Sequence, residues 1–178
     1  MDRSVIALVA LCLPAIAMAG SYQASDAQAI EGYLHRVIVL ESRFGRDNAT
    51  MFQEMTGAMT GNHVTNAELR SIISRSKAAL ENIEMLNPPR LHDAQAASAV
   101  QSANSYIRAY GANADRELHQ FFQIGPSYSP DHYMRDADMD NARGTRLTHH
   151  AIKYVLLACA AIGLNRQQTY ALVQRAER

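Results

Sequence analysis

The sequence predicts an all-α fold, a four-helix up-and-down bundle with a short fifth helix at the C-terminus. Apolar residues recur at three- and four-residue steps through four long segments. No stretch alternates apolar and polar residues as a strand does, and neither Asn-Gly nor Asp-Gly, the common hairpin dipeptides, occurs. The most apolar segment after the N-terminus, residues 147–164, is predicted to be the central buried helix that the other helices cover.

Residues 1–19 have the pattern of an export signal. Arg3 precedes a short apolar run, and Ala17 and Ala19 are small residues placed as at a cleavage site. We therefore predict a cleaved signal peptide over residues 1–19 and a single helical-bundle domain over residues 20–178. The protein is expected to be exported, periplasmic or secreted.

An N-terminal membrane anchor is the alternative interpretation of the same apolar run. The run is shorter than the roughly 20 residues that cross a bilayer, and Pro14 interrupts it. The sequence therefore favours a mature chain without a membrane span.

The charge balance and the cysteine content of the chain bear on nucleic-acid binding and on disulfide formation. Acidic and basic residues balance at 17 each, so no net field attracts nucleic acid, and nucleic-acid binding is excluded. Signal cleavage removes Cys12 and leaves Cys159 alone, so no internal disulfide is expected. Cys159 lies in the most apolar segment and is predicted to be a small buried hydrophobe.

The first two predicted helices carry capping-box spacings at their starts. Ser25 with Gln28 begins a long amphipathic segment that runs to about Gly61, with Gly45 as a point where the helix bends, breaks or continues. Thr65 with Glu68 begins the second helix. Its apolar stripe ends before two prolines and is formed by Leu69, Ile72, Ile73, Ser76, Leu80, Ile83 and Leu86.

The third helix is predicted over residues 91–122 and is followed by a long segment without periodicity, residues 125–138. That segment is interpreted either as a plain crossover or as a functional loop. The helix apolar stripe consists of Ala96, Val100, Ala103, Ile107, Tyr110, Ala114, Leu118 and Phe121. Gly163 is predicted to end the fourth helix, and Asn165 with Gln168 to cap the fifth.

An aromatic corner is the candidate site for a protein partner. Phe121 and Phe122 are neighbours at the end of the third helix, so at least one ring points away from the core. Tyr128, His132 and Tyr133 follow in the adjoining segment. The corner is interpreted either as a contact patch or as a small cluster that packs the loop down.

A row of sulfur and nitrogen ligands is the first candidate metal site. Met51, Met55, Met59 and His63 are spaced by four, which places them along one face of a continuous helix. Thioether and imidazole ligands suit copper. Ordinary core packing by methionine is the alternative.

Three alternating aspartates are the second candidate metal site. Asp136, Asp138 and Asp140 have the spacing of the first carboxylates of a calcium-binding loop. Asn141 stands where that loop needs glycine, and Leu147 stands where it needs glutamate. A solvated acidic helix start is the alternative interpretation.

Other histidines offer weaker metal hypotheses. Asp131, His132 and His149 have suitable side chains for zinc, although exposed histidines are the simpler interpretation. Glu31 and His35 lie one helical turn apart and can therefore pair locally.

No catalytic motif accompanies these residues: the chain has no Gly-x-Ser-x-Gly elbow, no Cys-x-x-Cys-His motif and no Glu-x-x-His pair. We therefore expect a non-enzymatic protein that binds a partner in the cell envelope, such as an inhibitor, an immunity-type protein or an accessory factor. The alternative is an exported protein that binds copper or zinc. No cofactor is required by the sequence, and self-association into a homo-oligomer is compatible with it.

Overall fold

The computed structural model describes residues 24–59, 66–122 and 130–178, all of whose regular structure is helical. The helices are α1 (Ala24–Met59), α2 (Asn66–Glu84), α3 (Ala94–Phe122), α4 (Pro130–Ala161) and α5 (Arg166–Ala176). The prediction of an all-α fold is therefore confirmed for these residues. The predicted signal peptide, residues 1–19, lies outside them.

The helices pack mainly in four pairs: α3 with α4, α1 with α2, α2 with α3, and α1 with α5. The core between them is built from the predicted apolar stripes. Fully or almost fully buried side chains occur on every helix; the largest are Ile30, Tyr33, Leu80, Ile83, Val100, Cys159, Ile162 and Leu172. The predicted central segment is buried along most of its apolar positions from Ala151 to Leu164, whereas His149, His150, Lys153 and Gly163 are exposed and Leu157 is 37% exposed.

The structure resolves one question that the sequence left open, and it differs from the prediction at one connection. Gly45 neither ends nor interrupts α1, which runs as one helix of 36 residues. The segment predicted to be an irregular loop is helical from Pro130 onward, and α4 therefore has 32 residues. Proline is favourable in the first turn of a helix because the backbone N–H that it lacks would have no hydrogen-bond partner within the helix at that position.

The junction between α4 and α5 forms as the sequence predicts. Gly163 has a positive φ of 81°. Its amide donates a hydrogen bond to Ala160 O, and the Leu164 amide donates one to Cys159 O. These two hydrogen bonds form a Schellman cap. Asn165 and Gln168 then exchange backbone and side-chain hydrogen bonds in a complete capping box.

A buried carboxylate fixes the start of α3 against α1. Asp26 is 1% exposed and accepts hydrogen bonds from the backbone amides of His92 and Asp93 and from the His92 ring. Burial alone would raise the pKa of Asp26, but these hydrogen bonds outweigh it and hold that pKa below its usual value. Asp93 in turn caps α3 by accepting from the Ala96 amide.

A second buried polar link joins three parts of the chain. The hydroxyl of Tyr33 on α1 donates to Asn104 Oδ1 on α3 over 2.9 Å. The amide of Asn104 donates to Leu86 O, just after α2, over 3.0 Å. Because each partner is satisfied, this link fixes the register of the helices without leaving an unpaired polar group.

Candidate functional site

One concave feature of the described structure is an apolar cavity of about 270 Å³ between α1 and α4. These two helices are not among the closely packed pairs. The cavity walls come from all five helices and are formed by Leu34, Val37, Ile38, Glu41, Ile83, Tyr106, Ile107, Tyr110, Leu147, Thr148, Ala151, Ile152, Val155, Leu156, Tyr170, Val173 and Glu177. Ile83 alone represents α2.

The cavity forms because α1 and α4 each carry more apolar surface than they bury against neighbouring helices. On α1, Leu34, Val37 and Ile38 line the cavity, whereas Ile30 and Tyr33 are packed in the core. On α4, the lining positions recur at three- and four-residue steps from residue 147 to residue 155. Two apolar faces therefore meet across a space that neither helix fills.

Few polar groups interrupt the cavity wall. Glu41 of α1 lines it, and in the described part of the chain this carboxyl has neither a hydrogen-bond partner nor an ion-pair partner. Burial raises the pKa of Glu41. No lysine, arginine or histidine is among the described residues that line the cavity.

Tyrosines of α3 form an aromatic wall beside Glu41. Burial, with the negative charges of Glu41 and Glu117, raises the pKa of Tyr110. Tyr106 stacks on His150, with ring centroids 4.9 Å apart, and on Tyr154, with centroids 5.7 Å apart. These rings offer a flat, polarisable surface next to the aliphatic one.

Helix α5 covers one side of the cavity and is attached to α1 by polar contacts. Arg175 Nη2 lies 2.8 Å from Glu31 Oε2, and His35 Nδ1 lies 2.8 Å from Ala176 O. Glu31 and His35 therefore reach across to α5 instead of forming the local pair that their spacing allows. These contacts hold Tyr170, Val173 and Glu177 against the cavity.

A second titratable group lies behind the aromatic wall, between α3 and α4. Glu117 accepts a hydrogen bond from Asn113, whose amide also donates to Asp140 O. Burial, followed by the charge of Asp140, raises the pKa of Glu117 to about 7, although the Asn113 hydrogen bond lowers it. Asn113 Oδ1 is buried and has no partner among the described residues.

The predicted aromatic corner remains a prediction. Phe121 and Phe122 belong to the last turn of α3, and His132 and Tyr133 belong to the first turn of α4. The side chains of all four, and the whole of Tyr128, lie outside the described residues. Loss of a pulled-down partner on replacing Phe122 and Tyr133 with alanine, without loss of helix content, tests the corner.

The predicted copper row also remains a prediction. Met51, Met55 and Met59 all lie on α1, which is continuous past Gly45. Their side chains, and the whole of His63, lie outside the described residues.

The calcium-loop interpretation is wrong for residues 136–147, because this segment is helical rather than a loop. On a helix, side chains two residues apart point about 200° apart, so alternate positions do not present their carboxylates to one ion as they do in a calcium-binding loop. Asp138 is exposed, whereas Asp140 is 9% exposed and lies beside the Asn113 amide. Among the described residues, no group of three His, Cys, Asp or Glu could hold a metal ion.

The zinc hypothesis is also wrong for reasons of length. His132 and His149 lie on the same helix, α4, and are about 25 Å apart along its axis. His149 and His150 are both exposed, as the simpler interpretation of these histidines requires. A single ion therefore cannot join His132 to His149.

Cys159 is fully buried, as predicted, which disfavours reaction of its thiol with molecules in solution. Burial raises the pKa of its thiol to about 12, although a hydrogen bond with Thr169 lowers it. The periodicity of the sequence placed Tyr110 in the apolar stripe of α3 but did not predict a role for Glu41. The available signal was a glutamate at position 41 within an apolar stripe that includes Val37, Ile38 and Leu40.

Comparison with known proteins gives no similar family model, no similar curated protein and no similar solved structure. Within residues 24–59, 66–122 and 130–178, no helix combines the length and apolar character needed to cross a membrane.

Proposed function

We propose that this protein is a non-enzymatic binding protein that holds an apolar small molecule in the cavity between α1 and α4. The observation that carries the proposal is the cavity itself, about 270 Å³ in volume and lined by aliphatic and aromatic side chains from five helices. An engineered apolar cavity of about 150 Å³ holds benzene, so this one accommodates a larger ligand. Small-molecule sites are usually apolar clefts with a few polar groups, as here.

A small molecule suits the site better than a protein partner. The cavity opens to solvent beside the exposed Tyr170 and Glu177, but its volume of about 270 Å³ would admit only a side chain or two of a protein. A ligand of about ten non-hydrogen atoms would instead contact most of the wall and remove apolar surface from water, worth about 25 cal/mol per Å². The binding free energy would come mainly from this burial.

The proposal keeps two predictions made from the sequence. The Arg3-led apolar run with Ala17 and Ala19 supports removal of residues 1–19 and function in the periplasm or outside the cell. Close packing of each successive pair from α1 to α4 supports an up-and-down bundle. An exported binding protein for apolar compounds is consistent with both.

Thermal unfolding with 1-octanol, an uncharged apolar probe, tests the proposal. Ligand that binds only the folded state raises the unfolding midpoint; at one hundred times Kd it adds about 2.7 kcal/mol. Ala151→Leu places three extra carbons at the cavity wall and should abolish the rise. Ala142→Leu is the matched control, because Ala142 is an exposed residue of the same helix.

Two results would contradict the proposal. One is an unfolding midpoint that 1-octanol leaves unchanged or lowers in the unsubstituted protein. The other is an equal rise in the Ala151→Leu and Ala142→Leu variants, which would place the probe elsewhere.

Copper binding is the second candidate function. It is favoured by the continuity of α1, which keeps Met51, Met55 and Met59 in one row along the helix. Cuprous ion should then raise the unfolding midpoint, and replacing Met55 with leucine should remove most of the rise. Equal stabilisation of both proteins would rule out the row as the site.

A further inference from the structure

The charge of the cavity wall indicates what kind of apolar molecule fits it. Among the described residues, the carboxyl groups of the lining belong to Glu41 and Glu177, and no lysine, arginine or histidine lines the cavity with them. A carboxylate in an apolar wall without a counter-ion is unfavourable, and an opposite charge brought by a ligand would relieve this. A fatty acid would instead add a third negative charge.

The position of Glu41 suits direct contact with such a ligand. It follows Leu34, Val37 and Ile38 along the lining face of α1, at three- and four-residue steps. Its side chain therefore belongs to the cavity wall, and no protein group competes for its oxygens in the described part of the chain.

The aromatic wall supplies a second interaction that favours a cation. Tyr106 and Tyr110 line the cavity on the α3 side, and Glu41 lines the same cavity on the α1 side. A cation within about 6 Å of a tyrosine ring is attracted by the ring face. An alkylammonium group beside Glu41 would therefore have both a carboxylate and a ring as neighbours.

We propose that the natural ligand is an apolar amine, and that Glu41 binds its ammonium group; this inference rests on the proposed function. The alkyl or aryl part occupies the aliphatic wall formed by α1 and α4. The ammonium group donates hydrogen bonds to Glu41. Glu177, the residue directly after α5, adds a second negative charge on the side of the cavity that α5 covers.

The binding should depend on pH in a defined direction. Because burial raises the pKa of free Glu41, lowering the pH through that pKa protonates the carboxyl and weakens amine binding. The other titratable groups at the wall are Tyr106 and Tyr110 of α3, Tyr170 and Glu177 of α5, and His150 of α4, which stacks on Tyr106. Binding of 1-octanol should not follow this trend.

Isothermal titration at pH 8 with octylamine, 1-octanol and octanoate tests the proposal, because the three probes share an alkyl chain and differ in head group. Octylamine should bind at least about tenfold more tightly than 1-octanol, as expected for a hydrogen bond to a charged group, and octanoate should bind weakest. Glu41→Gln keeps the shape of the side chain and should remove the amine preference while 1-octanol binding persists.

The controls separate Glu41 from general charge effects. Glu81→Gln changes an exposed carboxyl on α2 and should leave all three affinities unchanged. Glu177→Gln should reduce the octylamine affinity less than Glu41→Gln does.

The outcomes distinguish this inference from the proposed function. Binding of 1-octanol without preference for octylamine, or a preference that survives Glu41→Gln, overturns the amine assignment and leaves the cavity as an apolar site. Absence of binding by all three probes overturns both.

Discussion

Glu117 shows how a single residue links the packing of α3 and α4 to pH. Its carboxyl is half-buried, accepts from Asn113, and is near the charge of Asp140 and the Tyr110 ring. The pKa of Glu117 is about 7 in the folded protein, above the ordinary value of 4.5. The folded state therefore holds this proton over a pH range in which the unfolded chain has released it.

The free energy of unfolding should consequently fall as pH rises from about 4.5 to about 7, because Glu117 loses its proton over this range. Water reaches part of this carboxyl, so we expect a loss of about 1 kcal/mol rather than the full value of the shift. Glu117→Gln keeps an acceptor for Asn113 and should remove this loss, making the variant more stable than the unsubstituted protein at pH 8 but not at pH 4.5. Thermal unfolding followed by circular dichroism across this range measures the difference.

The same comparison can contradict the assignment. The contribution of Glu41, whose pKa is also raised, is common to both proteins and cancels in their difference. Parallel stability curves for the two proteins would mean that Glu117 titrates normally.

At the scale of a helix, one glycine of α3 is required by close packing and one of α1 is not. A Cβ on Gly111 would lie 2.8 Å from Ile83 Cγ2 on α2, and Ile83 is 1% exposed. A Cβ on exposed Gly32 would meet nothing within 4 Å. The close approach of α2 to α3 therefore depends on the missing side chain at Gly111.

Alanine at these two glycines should have opposite effects on the free energy of unfolding. Gly32→Ala should stabilise the protein by about 0.5–1 kcal/mol, because alanine restricts the unfolded chain and favours helix. At Gly111 the same gain is offset by an overpacking cost of about 1–3 kcal/mol, so Gly111→Ala should destabilise. Urea unfolding of both variants measures this, and stabilisation by both would show that α2 and α3 yield easily.

The contact of α1 with the start of α3 depends on the charge of Asp26. In Asp26→Asn the amide cannot accept all the bonds that the carboxylate does, so we expect a loss of about 2 kcal/mol at pH 7. Because the pKa of Asp26 is lowered in the folded state, the stability it provides is present above its unfolded pKa and is lost as pH falls through its folded pKa. Unfolding of Asp26→Asn by urea at pH 7 measures the loss.

Asp47→Asn is the matched control for this carboxylate. Asp47 pairs with Arg75, whose side chain is 57% exposed, over 3.2 Å. Such an exposed pair is worth about 1 kcal/mol or less. Equal losses for the Asp26 and Asp47 variants would contradict the structural role of Asp26.

The sequence was sufficient for features that depend on neighbours along the chain. The capping box of Asn165 with Gln168, the stop at Gly163 and the burial of Cys159 were all predicted and are confirmed. The start of α4 at Pro130 was not predicted, because the many charged residues of segment 131–140 interrupt the apolar periodicity of a helix. The role of Asp26 depends on residues 66 and 67 positions away, which no local pattern reveals.

At the scale of the whole molecule, the cavity arises from helix pairing that periodicity alone does not specify. An apolar stripe predicts that a face is covered, but it does not say whether a neighbouring helix or a ligand covers it. Leu34, Val37 and Ile152 would serve equally well in a packed interface. Only the arrangement of five helices shows that α1 and α4 leave a space there and that Glu41 lines it.

Nuclear Overhauser effects between 1-octanol and methyl groups of the protein test the existence and use of this cavity most directly. The account predicts contacts from the probe chain to methyls on both sides of the space, Leu34 and Val37 on α1 and Ile152 and Val155 on α4. Contacts confined to exposed side chains such as Met85 and Met139, or no contacts at all, would contradict it.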